Sequence, residues 1–135
     1  MKTSRSTALF TLAALFAMSA VLAVHSERAS AGGYFTKYAA IAYSPETGKY
    51  GYSNGWLSFT NAKRVALSHC KAKDAKIVTW VGNGWCALAI GDDRAAYGFG
   101  YGETAQEAKT IALREAGKRT TNCRVAACVF SGLDN

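Results

Sequence analysis

The chain has 135 residues, a formal charge of +7 and 50% apolar residues, with one proline and 13 glycines. This composition excludes long-range disorder, collagen-like repeats and Pro-rich linkers. The length allows one modest core, not a catalytic domain joined to a regulatory one.

Lys2 and Arg5 form a short positive stretch, and an apolar run over residues 8–24 follows, interrupted only by Thr11 and Ser19. His25-Ser26-Glu27-Arg28 then leads to Ala29-Ser30-Ala31, a small-residue step that suits signal-peptide cleavage. An uncleaved anchor is the competing reading, but a run of 17 residues lies at the lower edge of a bilayer span. Residues 1–31 are therefore expected to be a signal peptide. Residues 32–135 are expected to be one exported domain, periplasmic or secreted, with 13 basic and 8 acidic residues. No cysteine follows the apolar run, which excludes lipid attachment there.

The cysteines Cys70, Cys86, Cys123 and Cys128 all lie beyond the signal. An even count in a small exported domain predicts two disulfide bonds. A zinc site would want paired C-x2-C spacing or clustered histidines, and His69 is the one histidine beyond the signal, so no metal is expected.

From Tyr38 onward the chain repeats itself. Ala40-Ile41-Ala42 returns as Ala87-Leu88-Ala89, and Tyr50-Gly51-Tyr52 as Tyr97-Gly98-Phe99, both displaced by 47 positions. Ala62-Lys63-x-Val65-Ala66-Leu67 returns as Ala108-Lys109-x-Ile111-Ala112-Leu113, displaced by 46, and Lys76-Ile77-Val78 answers Arg124-Val125-Ala126, displaced by 48. Four blocks in one order indicate a duplication, with repeat one over about residues 38–84 and repeat two over about 85–132.

Each repeat begins with a strand, over residues 39–44 or 86–90, then turns through Pro45-Glu46-Thr47-Gly48 or Gly91-Asp92-Asp93 into an aromatic–glycine strand. Helices are predicted over 60–71 and 105–116. Thr104 with Glu107 reads as a capping box, and Gly117 suits the far end. A last strand closes each unit, over 76–81 and 124–130. The fold class is α+β: β-β-α-β twice, with antiparallel sheet and one helix per repeat.

One face of each first strand carries only alanine (Ala40 and Ala42; Ala87 and Ala89), and the helices offer Ala62, Ala66, Ala108 and Ala112. Small residues against small residues let a helix sit close, so this is the helix-covered face. The other face holds Ile41, Tyr43, Leu88 and Ile90 together with Tyr50, Tyr52, Tyr97, Phe99 and Tyr101. So much apolar area must pack against the other repeat's sheet, a second subunit or a ligand.

These blocks, with Ala-Ile-Ala-Tyr-Ser-Pro-x-Thr-Gly from Ala40 and Asn83-Gly84-x-Cys86, resemble the bacterial domain-of-unknown-function 4189 family over about residues 34–132. The resemblance implies a small exported, disulfide-bonded protein without an established catalytic activity. It also implies, in each repeat, a bridge from the helix end to the start of the last strand. Here Cys70 meets Ala75 in that pattern, and Cys123 meets Ala116.

Catalysis finds little support in the residues. His69 adjoins Cys70 on one helix, where neighbours point about 100° apart, a poor geometry for a nucleophile and its base. Asp92-Asp93 falls at a hairpin tip, where Asp is ordinary turn chemistry. The Tyr-Gly alternation lacks the spacing of a phosphate loop. No enzyme activity and no cofactor are expected. Lys63, Arg64, Lys71, Lys73 and Lys76 surround the first helix, and Lys109, Arg114, Lys118, Arg119 and Arg124 the second. They read as solvated helix faces; an anionic envelope surface could attract them, while export and interspersed acids argue against nucleic acid. The expected function is a non-catalytic interaction protein acting through a protein partner or a homodimer. A glycan or anionic-polymer binder is the alternative. The candidate binding or dimer face is Tyr50, Tyr52, Tyr97, Phe99 and Tyr101.

The duplication also suggests a disulfide pairing. Cys86 corresponds to Ala39 and Cys128 to Trp80, so one repeat could fill with a disulfide the space that the other fills with an indole over an alanine. Cys86–Cys128 is therefore expected, with Cys70–Cys123 by elimination. A short Gly82-Asn83-Gly84 link could instead pair the last strand of repeat one with the first of repeat two, exchanging strands between units.

Overall fold

A computed structural model describes residues 35–132, so the signal peptide and its cleavage site lie outside the described residues. The element order is β1 (Tyr38–Tyr43), β2 (Tyr50–Trp56), α1 (Phe59–Cys70), β3 (Lys76–Gly82), β4 (Trp85–Ile90), β5 (Gly98–Gly102), α2 (Ala105–Gly117) and β6 (Arg124–Phe130). It is β-β-α-β twice. The strands form two antiparallel three-stranded sheets, β2-β1-β3 and β5-β4-β6. Each sheet belongs to one repeat: Asn83 and Gly84 carry the chain from one sheet to the other, and strands are not exchanged.

The alternation of the central strands builds the layers. Ala39, Ile41 and Tyr43 of β1 meet Cys86, Leu88 and Ile90 of β4 in a core between the sheets. Ala40 and Ala42 point outward onto Ala62, Ala66 and Cys70 of α1, and Ala87 and Ala89 onto Ala108, Ala112 and Ala116 of α2. The result is helix, sheet, sheet, helix. Glycine sets the helix distance, because a Cβ at Gly51 would run into the α1 backbone at Ala66 and Cys70, and one at Gly98 into α2 at Ala112 and Ala116.

Helix starts follow the sequence signals. Ser58 accepts a hydrogen bond from the Asn61 amide (3.3 Å), and Thr104 accepts one from Glu107 (3.1 Å). The Glu107 carboxylate reaches back to the Glu103 amide at 3.0 Å, one residue before the position a capping box uses. Gly117 ends α2 without a left-handed turn: the cap is a right-handed Lys118, and the Ala116 carbonyl collects the amides of Arg119 and Thr120. At α1 the left-handed residue is Lys71.

The hairpin of each repeat is latched to the loop before its last strand. In repeat one Ser44 donates to the Asp74 carboxylate, which also accepts from the Glu46 amide at 3.0 Å. In repeat two the acid sits on the hairpin instead, where Asp92 accepts from Asn122 (2.6 Å) and Thr121 (3.1 Å). Asp93 accepts from the Ala95 amide (2.9 Å), a local turn bond.

Candidate interaction surfaces

The four cysteines form no disulfide pair. Cys70 belongs to the α1 layer, where Ala75 packs beside it; Cys123 belongs to the α2 layer, with Ala116. Both sheets lie between these layers, so the structure does not bring Cys70 and Cys123 together. Cys86 lies between the sheets, paired across strands with Val129, whereas Cys128 is paired with Ala87 and packs toward α2. Their side chains leave the sheet on opposite faces, a geometry that cannot be bridged, which corrects the expected Cys86–Cys128. The reason is a β-bulge. Arg124 stands opposite Ile90, and strict alternation from there would put Cys128 on the inner face with Cys86. The register shift between Leu88 and Ala89 inserts Ala126 and turns Cys128 outward. Burial pushes the Cys86 thiol up to about 12, which makes it a poor nucleophile.

His69 and Cys70 diverge. His69 Nδ1 donates to the Tyr52 carbonyl at 2.8 Å, which fixes the tautomer, while the Cys70 thiol points inward and donates to the Lys49 carbonyl at 3.4 Å. Burial, and then the nearby Asp74 carboxylate, raise the Cys70 pKa. Among the described residues no three His, Cys, Asp or Glu side chains converge as metal ligands, and no helix is long and apolar enough to cross a membrane.

The five residues of the predicted aromatic face divide. Tyr97 belongs to the core, edge-on to Tyr43 with ring centroids 5.2 Å apart and Lys76 Nζ 5.4 Å from its ring. The Tyr43 hydroxyl is spent on the Arg94 carbonyl at 3.0 Å. The other four rings stay open to solvent: Tyr50 is 41%, Tyr52 50%, Phe99 40% and Tyr101 62% exposed. They sit on β2 and β5, edge strands whose inner faces overhang an edge strand of the opposite sheet.

Two related grooves result. Phe99 and Tyr101 face residues 78–82 of β3 across about 520 Å³. Tyr50, Tyr52 and Asn54 face residues 126–130 of β6, with Trp85 at one end, across about 470 Å³. The second groove closes where the Gly55 amide donates to the Ser131 carbonyl (2.9 Å) and Asn54 Nδ2 reaches the Gly132 carbonyl (3.3 Å).

The basic residues fall mostly on the helical layers. Arg114 and Lys118 pair with Glu115 at 3.7 and 2.9 Å, and Lys63 lies 4.3 Å from the Phe59 ring. Phe59 packs at a tilt against Trp80 (4.4 Å) and Tyr38 (5.9 Å), an aromatic cluster that sequence reasoning missed. The signal available was the repeat itself, which sets Trp80 against Cys128 and so marks a position where the two units differ.

No curated protein and no solved structure matches this chain. The family described as Domain of unknown function (DUF4189) matches residues 38–129. With two β-β-α-β units filling that span, the chain belongs to the DUF4189 family.

Proposed function

We propose that this protein is an exported, non-catalytic interaction protein that binds a protein partner, a second copy of the chain included, through the rings of its lateral grooves. One observation carries the reading. Inward-facing residues of the central strands, such as Ile41 and Leu88, are fully buried, whereas Tyr50, Tyr52, Phe99 and Tyr101 on the same faces of the edge strands are left to solvent. Exposed aromatic rings grouped along a groove are typical of an interface core. Export rests on the basic start, apolar run and Ala29-Ser30-Ala31 step. The test is affinity capture from the exported fraction of the producing cells, using the wild type and the combined Tyr50→Ser, Tyr52→Ser, Phe99→Ser, Tyr101→Ser variant. The wild type is expected to retain a discrete protein, or itself, that the folded variant loses. Equal capture by both, or retention of a glycan alone, contradicts the reading.

A further inference from the structure

One end of the molecule gathers large apolar side chains outside the grooves. Tyr38, which opens β1, pairs with Trp56 at the end of β2 and with Gly82 at the end of β3. The first residue of α1, Phe59, contacts both Tyr38 and Trp80. Trp85 opens β4 at the same end, where the Asn83 amide donates to the Lys37 carbonyl (3.0 Å). All three tryptophans of the chain therefore stand here. Phe35, ahead of β1, is 75% exposed, and Leu57, ahead of α1, is 61% exposed.

Repeat two does not reproduce this end. By the 46-residue displacement of the helices, Leu57, Phe59 and Asn61 stand where repeat two has Glu103, Ala105 and Glu107. Those two glutamates flank the start of α2, in the opposite outer layer, and Glu107 is turned back onto the Glu103 amide. Over residues 35–84 the acids are Glu46 and Asp74, and both sit in the hairpin latch at the far end of the sheet. Lys37 precedes β1, Lys63 Nζ lies over the Phe59 ring, and Arg64 follows it. The α1 start is thus apolar and basic without a neighbouring acid of its own repeat.

That composition selects the occupant. Lysine is depleted from the cores of protein interfaces. Tryptophan, phenylalanine and leucine beside lysine and arginine are instead what seats a protein in the headgroup region of a bilayer. Anionic headgroups match the cations, and the acyl boundary matches the exposed apolar tips.

We propose that the α1-start end docks the exported protein on an anionic lipid bilayer, with Phe35 and Leu57 inserted and Lys37, Lys63 and Arg64 on the headgroups. This surface is separate from the partner reading above, because none of these five residues lines either groove.

Protein purified from the exported fraction is titrated with vesicles of phosphatidylcholine, alone or mixed equally with phosphatidylglycerol. Sedimentation and tryptophan emission follow binding. The mixed vesicles are expected to bind the protein and shift its emission to the blue, since every tryptophan reports on this end. Neutral vesicles should bind about tenfold more weakly or worse. Phe35→Ser with Leu57→Ser, and separately Lys63→Glu with Arg64→Glu, should each weaken binding by about tenfold or more. Phe35 and Leu57 are exposed, and acids near a helix start are favourable, so both variants should keep the fold. No binding to the mixed vesicles, equal binding to neutral ones, or no effect of either double variant overturns the proposal. So does an equal loss in the four-ring groove variant, which would move the lipid site to the grooves. Dimerisation through Phe35 and Leu57 in place of vesicle binding also overturns it, and assigns this end to a second copy.

Discussion

Where β5 places Gly100 against α2, β2 places Ser53 against α1, and the Ser53 hydroxyl donates to the Ala62 carbonyl at 2.7 Å. Where repeat two packs Tyr97 against Tyr43, repeat one leaves the corresponding Tyr50 at the mouth of a groove. Trp80 lies over Phe59 in repeat one, and its counterpart Cys128 lies near the Ala105 carbonyl in repeat two. The inner and alanine faces of the two units are thus nearly interchangeable, while edges and outer layers have diverged. A core shared between two sheets constrains both copies equally. An edge strand constrains only its own side, so charge and aromatic content there can change without disturbing the stack.

The widest expected contrast is chemical. With a pKa of about 12, Cys86 should be alkylated at pH 8 on the order of a thousandfold more slowly than an unperturbed thiol. Mass spectrometry of the native protein should find half-exposed Cys123 modified before Cys86, and all four cysteines modified after unfolding. A Cys86–Cys128 peptide in the non-reduced digest would break the register.

Next come the helix seats. Gly98→Ala or Gly100→Ser should cost about 3 kcal/mol or more in denaturant unfolding, because the obstacle is α2 backbone. Ser53→Ala should cost roughly 1 kcal/mol, the loss of one buried hydrogen bond. Equal costs at Ser53 and Gly100 would show that the two helices sit alike.

The hairpin latches give the smallest and most local effect. The Ser44 hydroxyl, then the Glu46 amide, hold the Asp74 carboxyl below its ordinary value. A depressed folded-state pKa means that the latch stabilises above about pH 4 and is lost as pH falls through the lowered value. Amide exchange around Glu46 should therefore rise only in that acid range for the wild type, and at neutral pH already in Asp74→Asn.

Much of this was legible in the sequence because duplication doubles each signal. Alanine on alternate positions of β1 and β4, matched by alanine in both helices, fixed which face each helix covers. The fate of the aromatic face was not legible, since Tyr52 and Ile41 share one face in a cross-strand pair and only strand order separates them. Cys128 was misplaced because a bulge carries no periodic signature: one extra residue, Ala126, reverses the face of everything after it. The grooves combine β2 with β6 and β3 with β5, pairs far apart in the chain whose proximity depends on how the sheets stack.

Affinity capture with the two edges varied separately, Tyr50→Ser with Tyr52→Ser against Phe99→Ser with Tyr101→Ser, tests most directly whether matching scaffolds have acquired different edges. Loss of the retained protein in one of the two double variants alone is the expected result. Equal loss in both would contradict the account.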